Sequence, residues 1–440
     1  MQFLGKVFNN RLFQSIATVG IISLGLKILG FYKETLVAST FGLSLTLDTF
    51  LIAILLPGFI KNVFIGSLSN IFIPNYITEK TNGGNLASFQ AVMFLMVIGI
   101  SLFFTLIVYL STDVFIEEVF PNKPDKYYQL VKQQIFIVMP SLIFMGLNNV
   151  MVGLIEVKGK FFIANIGGIF FPMTTILFLF FAQEQLGDLV LAWAFLLGTV
   201  ITFAYLLIQS KLLNVLFLSK PVINEGAKIM IQQIPHKLAA AFFSMGNNFV
   251  DKYFAAQLAI GAIGAINYGT KIPSFALAII VISVGKVLLP HFSKLVNTDI
   301  KKAYAQLLKI IKGSFISALL ICTVIYIFTP EIIAFALERN EFTSEDTIIV
   351  SRIQRILLIY IPFAFAGRII SKFLTTINEN RFMARISFVS FLLNIVLNIV
   401  LIDKYGIYGL AMATTIVMIL RTLTFFVFTM KKRNSLIKSL

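Results

Sequence analysis

Long apolar runs dictate what this chain can become. Twelve of them can be read along it, and a helix needs about 20 mostly apolar residues to cross a bilayer. They cover 12–41, 47–75, 89–111, 133–155, 161–182, 189–210, 229–258, 263–293, 313–330, 347–376, 383–402 and 407–430. Only 13% of the 440 residues are charged and 58% are hydrophobic, whereas soluble domains carry about a quarter charged. Lipid is therefore the solvent, and the expected fold is all-α integral membrane. Several runs exceed the bilayer thickness, which calls for tilt or bends. Pro57, Pro140, Pro172, Pro235, Pro273 and Pro362 fall inside runs; each removes a helix hydrogen bond and invites a kink.

Orientation follows from Lys/Arg bias in the loops. With the N-terminus inside, the cytoplasmic segments hold 19 Lys/Arg and the outer segments five. Both termini are expected in the cytoplasm. The start, Met1 to Asn10, is polar and leads into a helix too long for a signal peptide, so none is expected. Cys322 stands alone, which excludes a disulfide framework. His236 and His291 read as polar residues near helix ends rather than as metal ligands. The net charge of +16 would suggest nucleic acid in a soluble protein. Here its distribution points to the membrane, and no nucleic-acid partner is expected.

The chain repeats itself at half length. TFGLSLTLDTFLIAILLPGFIKNVFIGSLSNIFIPNYITEK, from Thr40, matches LAIGAIGAINYGTKIPSFALAIIVISVGKVLLPHFSKL, from Leu258, in its small-residue turn, proline-bearing helix and closing Ile/Leu-Pro. VMPSLIFMGLNNVMVGLIEVKGKFF and YIPFAFAGRIISKFLTTINENRFM form a second pair, with Pro140 and Pro362 222 residues apart. Six helices per half give both halves one orientation, hence parallel repeats about an axis along the membrane normal. The expected lobes are 1–215 and 216–440, joined by the basic segment Lys211 to Lys228, with a central cavity between them.

Charges inside the runs are the functional signal. Twelve are basic: Lys27, Lys33, Lys61, Lys237, Lys252, Lys271, Lys286, Arg352, Arg355, Arg368, Lys372 and Arg421. Three are acidic: Glu34, Asp48 and Asp251. Each costs about 2.5–3.5 kcal/mol at a helix centre on insertion scales, so such groups face a wet interior. Lys237, Lys286, Arg352 and Arg421 lie near expected helix ends or can snorkel. Lys33 and Glu34 are placed to neutralise each other in part. Lys27, Lys33 and Lys61 fall in the first two helices, and Lys252 and Lys271 in the seventh and eighth, the equivalent places of the two repeats. A cavity lined this way suits an anion, a diphosphate above all, because several ammoniums share its charge. Glu34, Asp48 and Asp251 are candidates for gating or charge pairing. Asn394 and Asn398, at i and i+4, share a helix face, and Asn247 and Asn248 precede Asp251. Oxygen ligands plus a carboxylate can hold Na⁺, although hydrogen bonding between helices is the more ordinary role. No GxxxxGK[ST] loop, paired catalytic carboxylates, GxSxG or metal cluster stands out. The chain reads as a non-enzyme driven by a gradient, the membrane potential or mass action.

LKILGFYKETLVASTFGLSLTLDTFLIAILLPGFIK, Leu26 to Lys61, resembles the signature of the MurJ/MviN family, flippases of the MOP exporter superfamily. Lys27, Lys33, Glu34, Asp48, Pro57 and Lys61 match its pattern in order. VDKYFAAQLAIGAIGAINYGTK followed by VGKVLLPHFSK is similar to the family's seventh and eighth helices, with Asp251, Lys252, Tyr268 and Lys271 in corresponding places. Asn394 and Asn398 resemble a sodium-site pair of some members. The sequence departs from the family in three ways. Cavity arginines are lysines here, which keep the charge but lose the bidentate fork. A usual Glu is missing from KNVFIGSLSN. Twelve runs stand where many members have fourteen helices. The resemblance implies translocation of an undecaprenyl-diphosphate-linked saccharide such as lipid II to the outer leaflet of the bacterial inner membrane, by alternating access. It further implies a monomer among membrane lipids, with Na⁺ or the membrane potential as the coupling candidates and no other cofactor. The alternatives are a flippase for O-antigen or capsule repeat units, a MATE-like cation or drug antiporter, and a non-transporting cell-wall assembly scaffold. Twelve bases against three acids argue against the antiporter.

Overall fold

A computed structural model describes residues 11–275, 288, 292–296 and 298–438. Nineteen α-helices are delimited there: α1 (Arg11–Phe41), α2 (Leu45–Ala53), α3 (Leu55–Ile60), α4 (Gly66–Thr81), α5 (Leu86–Val119), α6 (Asp125–Val138), α7 (Ser141–Val157), α8 (Phe161–Ile166), α9 (Phe170–Phe181), α10 (Gln183–Leu186), α11 (Val190–Leu212), α12 (Glu225–Gln257), α13 (Ala262–Gly269), α14 (Ile300–Ile327), α15 (Thr329–Leu337), α16 (Ser344–Leu358), α17 (Ile361–Thr376), α18 (Asn380–Tyr405) and α19 (Ile407–Lys438). Lys61–Ile65 forms a π-helical turn between α3 and α4. Among the described residues the only β pairing is an isolated bridge, Arg339 to Phe342. Eight helices among the described residues are long and apolar enough to cross a membrane, or nine if the bent pair α16–α17 is one span.

Several expected boundaries move for local reasons. The ninth run, expected to start at residue 313, starts instead at Ile300, because Asp299 caps α14 by accepting the Lys302 N–H at 2.9 Å. Lys301, Lys302, Lys309 and Lys312 thus ride on a helix rather than in a loop. Asp125, in the first turn after Pro124, starts α6 eight residues before the expected 133. The prolines act unequally. Pro140 separates α6 from α7, Pro362 opens α17 at a 40° bend, and Pro57 lies in α3 just before the π turn. Pro235 sits inside an uninterrupted α12. The eighth expected span, with Lys286 and His291, lies largely outside the described residues, as do the side chains of His236 and Asn248.

The chain divides into two compact units. Unit 1 comprises Met1–Thr40 with Leu45–Met245, and unit 2 comprises Phe41–Ser44 with Gly246–Leu440. Unit 1 packs α4, α5, α7 and α11 around Phe72, Phe89, Met93, Val150, Met151 and Leu154, with Phe72 stacked on Phe89 at 5.7 Å between centroids. Its connecting segment 213–224 is tied down. Gln90 donates to the Val215 carbonyl (2.9 Å) and accepts from the Phe217 N–H (2.8 Å). Ser88 accepts from the Val222 N–H (2.8 Å), and Asn224 donates to the buried Glu79 carboxylate (2.6 Å). These bonds hold the start of α12 in unit 1. Unit 2 packs α14, α17 and α19 around Phe292, Tyr304, Leu307, Ile369 and Phe373. Gly42 lies at φ +52 in unit 2, where any Cβ would overlap the Glu341 carbonyl, so that turn admits glycine alone. Leu102, Phe103, Leu106 and Leu110 of α5, and Leu319, Leu320 and Val324 of α14, project outward. Such a surface belongs in hydrocarbon.

Candidate functional site

In unit 1 the local backbone positions Lys61. Pro57 supplies no N–H to the helix, and four residues later the ladder loosens: the Gly66 N–H bonds the Lys61 carbonyl five residues back. Single π turns of this kind recur at functional sites. The half-buried Lys61 lines a cavity of about 480 Å³, with Leu26 of α1, Asn148 and Asn149 of α7, Asn165 of α8, Phe171 of α9, and Thr199 and Thr202 of α11. Among the described residues Lys61 makes no ion pair. The amides are only partly committed. Asn148 donates to the Thr199 carbonyl at 3.3 Å, while its buried Oδ1 receives no hydrogen bond. Asn149 donates to Ser69 Oγ at 3.0 Å, and Asn165 to Glu156 at 3.0 Å. One cation among uncommitted oxygen and amide groups can take an anion that also carries hydroxyl or amide groups.

The other unit 1 candidates are more committed. Lys33 pairs with Glu34 at 2.6 Å and lies 5.5 Å from the Phe171 ring. It therefore borders the cavity wall with its charge matched. Lys27, beside Leu26, is half-buried and engaged by the protein. Asp48 is buried at the start of α2 and acts on Lys123, in the loop between α5 and α6. Burial lowers the Lys123 ammonium from its ordinary range, and Asp48 draws it back up.

Unit 2 gathers a different set. Asn398 Nδ2 donates to Asp251 Oδ1 and to Asn394 Oδ1, each at 3.1 Å. Thr414 Oγ1 donates to Asp251 Oδ2 at 2.9 Å and lies 3.2 Å from the Leu410 carbonyl. Asn394 and Asn398 are buried, and the buried Oδ1 atoms of Asn398 and of Asn247, one turn before Asp251, receive no hydrogen bond. Three of the sequence-derived residues thus meet around one carboxylate, with Asn247 a turn away. Thr414 was not legible, because a threonine on an apolar helix usually satisfies itself on the preceding turn. Lys252 and Lys271 are half-buried and each is engaged by the protein. Arg355 donates to the Tyr326 carbonyl at 3.1 Å, and Arg352 lies over the Tyr408 ring at 6.0 Å, which accounts for two further span cations. No group of three or more His, Cys, Asp or Glu able to hold a metal occurs among the described residues.

The family model described as lipid II flippase MurJ matches residues 37–440. A probable lipid II flippase MurJ of Buchnera aphidicola subsp. Baizongia pistaciae is 26% identical over 416 residues, covering 92% of this chain and 80% of the relative. One from Rhizobium tropici is 24% identical over 441 residues, covering 97% and 82%. Among solved structures, a lipid II flippase MurJ in an inward closed conformation matches with TM-score 0.79 and 24% identity, over 94% of this chain and 87% of that one. An inward-facing multidrug resistance MATE transporter of the MOP superfamily matches with TM-score 0.75 and 13% identity, over 95% and 99%. The fold is thus that of MurJ and MATE transporters. With its many apolar spans the chain is a multi-pass protein of the bacterial inner membrane, a transporter and not an enzyme, and it belongs to the MurJ family of lipid II flippases.

Proposed function

We propose that this chain carries lipid II, a saccharide linked to undecaprenyl diphosphate, from the inner to the outer leaflet by alternating access. Lys61 is the observation that supports it most: a half-buried cation without an ion-pair partner among the described residues, facing a cavity lined by asparagines and threonines. In this reading Lys61 takes the diphosphate, and Lys27, Lys33, Lys252 and Lys271 bind it as their present partners exchange. Glu34, Asp48 and Asp251 serve as gating or charge-pair groups. The amides of the cavity hydrogen-bond the saccharide while the isoprenoid stays in lipid. Twelve spans in two parallel six-helix lobes, 1–215 and 216–440, with both termini cytoplasmic, complete the reading. Support for the span number comes from two further long helices, α1 and α12, beyond the eight or nine apolar ones, and from the partly described eighth run. The chain would act as a monomer.

Na⁺ fits the Asp251 cluster as coupling ion. Asp251, Asn394, Asn398 and Thr414 would hold it, with Asn247 adjacent, and the oxygens of Asn398 and Asn247 that accept no bond are suited to a hard cation. The ion would supply positive charge that organises α12, α18 and α19 around one point. A cationic Lys61 cavity disfavours the MATE-like antiporter, whose cargo would be repelled. The test is transport of fluorescent lipid II in proteoliposomes, with rescue of a strain depleted of its own lipid II flippase. Transport that depends on Lys61 is expected. Full transport by Lys61→Ala would sink the diphosphate role, and rescue only of a strain lacking its O-antigen flippase would reassign the cargo.

A further inference from the structure

Among the span cations outside the site described above, three belong to two neighbouring helices of unit 2. Arg368 and Lys372 stand one turn apart on α17, and Arg421 stands on α19. The two helices touch closely beside them. Thr422 Oγ1 donates to the Phe363 carbonyl at 3.1 Å, and a Cβ on Gly367 would come within 2.5 Å of the same Oγ1. Gly367 and Thr422 are the chain neighbours of Arg368 and Arg421, so that contact brings the two guanidinium-bearing residues to one level. Arg368 is exposed, while Lys372 and Arg421 are half-buried. None of the three makes an ion pair among the described residues.

Like charges gathered within spanning helices oppose each other and lose hydration, so they persist where they face water or an anion. Arg421 lies two turns beyond Thr414 on the same side of α19, the side that carries the hydrogen bond to Asp251. Two guanidinium forks with an ammonium one turn away match the oxygens of a phosphate ester. The first repeat lacks them. At the 222-residue spacing of Pro140 and Pro362, the matching positions are Gly146, Val150 and Thr199.

We infer that unit 2 carries a second anion site, formed by Arg368, Lys372 and Arg421, which takes the diphosphate of the lipid-linked cargo at a different stage of transport from Lys61. The inference rests on the flippase reading. Its location within spanning helices favours a lipid-borne diphosphate over a soluble one.

The test measures binding by the full chain in detergent with farnesyl diphosphate as the probe, inorganic diphosphate and farnesol as separate arms, and flipping of fluorescent lipid II in proteoliposomes. Arg368→Gln combined with Arg421→Gln should weaken farnesyl diphosphate binding by about tenfold or more and slow flipping, with Lys61 intact. Arg368→Lys combined with Arg421→Lys keeps the charge and should retain more binding than the Gln pair. It also serves as the readout if the Gln pair fails to fold, since a Lys pair binding like the parent would show that the forks are dispensable and overturn the bidentate site. Unchanged binding and flipping in the Gln pair, with both lost in Lys61→Gln, overturns this site and leaves the flippase reading standing. No effect in either variant overturns both. Inorganic diphosphate binding as tightly as farnesyl diphosphate overturns the lipid assignment, as does farnesol binding as tightly.

Discussion

The two units solve opposite electrostatic problems. Unit 1 leaves a cation, Lys61, without an ion pair among the described residues and surrounds it with neutral amides and hydroxyls. Unit 2 surrounds an anion, Asp251, with amide and hydroxyl donors and keeps Arg421 farther along α19 and Arg368 on α17. The difference grows from equivalent helices. Where α7 presents Asn148 and Asn149 after Pro140, α17 presents Arg368 and Lys372 after Pro362. In the proposed reading, unit 1 offers Lys61 to the phosphate of the cargo, while unit 2 offers Asp251 to a coupling cation and its arginines to the same phosphate at another stage.

The largest expected effect tests the first half. Lys61→Ala should reduce flipping about 10–100-fold, the equivalent of about 1.5–3 kcal/mol for one charge-assisted contact. Lys33→Ala, already matched by Glu34, should cost less than about tenfold in the same proteoliposome assay. Equal losses would erase the distinction between paired and unpaired lysines. Next, Asp251→Asn should abolish any stimulation of flipping by Na⁺ and leave farnesyl diphosphate binding within about threefold of the parent. A variant that loses diphosphate binding and keeps its Na⁺ response would reverse the assignment of the units. Thr414→Val removes a single hydroxyl and should raise the Na⁺ concentration for half-maximal stimulation about fivefold, near 1 kcal/mol. The smallest effect belongs to Asn148→Ala. It deletes one long hydrogen bond together with a buried acceptor that no donor meets, so stability in detergent should stay within about 0.5 kcal/mol. Cargo binding should nevertheless weaken about threefold if that acceptor serves the saccharide.

Hydropathy made the apolar helices legible, since lipid leaves a continuous signature, and Lys61 stood out because a charge inside such a run carries a penalty. Helix ends were less legible. α14 begins far ahead of its apolar stretch because a capping aspartate, Asp299, outweighs the lysines that follow. Pairings across the chain left no trace at all. Nothing near Asp251 announces Thr414, and nothing in the polar segment 213–224 announces that Ser88, Gln90 and Glu79 hold it. The charges of Lys33 and Glu34 were readable as a pair because they are neighbours. The separation of Arg368 and Arg421 by 53 positions hid theirs until the Gly367–Thr422 contact joined the helices.

That fastened segment bears on how such a chain can be divided. The lobe boundary expected from the sequence falls at residue 215, yet the hydrogen bonds from Ser88, Gln90 and Glu79 carry the polypeptide past it, and Glu225 to Met245 pack with the first unit. A gene split near residue 215 would leave all of α12 on the second fragment and deprive the first of Glu225 to Met245, the part that packs with it. Two separately expressed pieces would reassociate better if the first retained the helix as far as Met245, the boundary that packing sets.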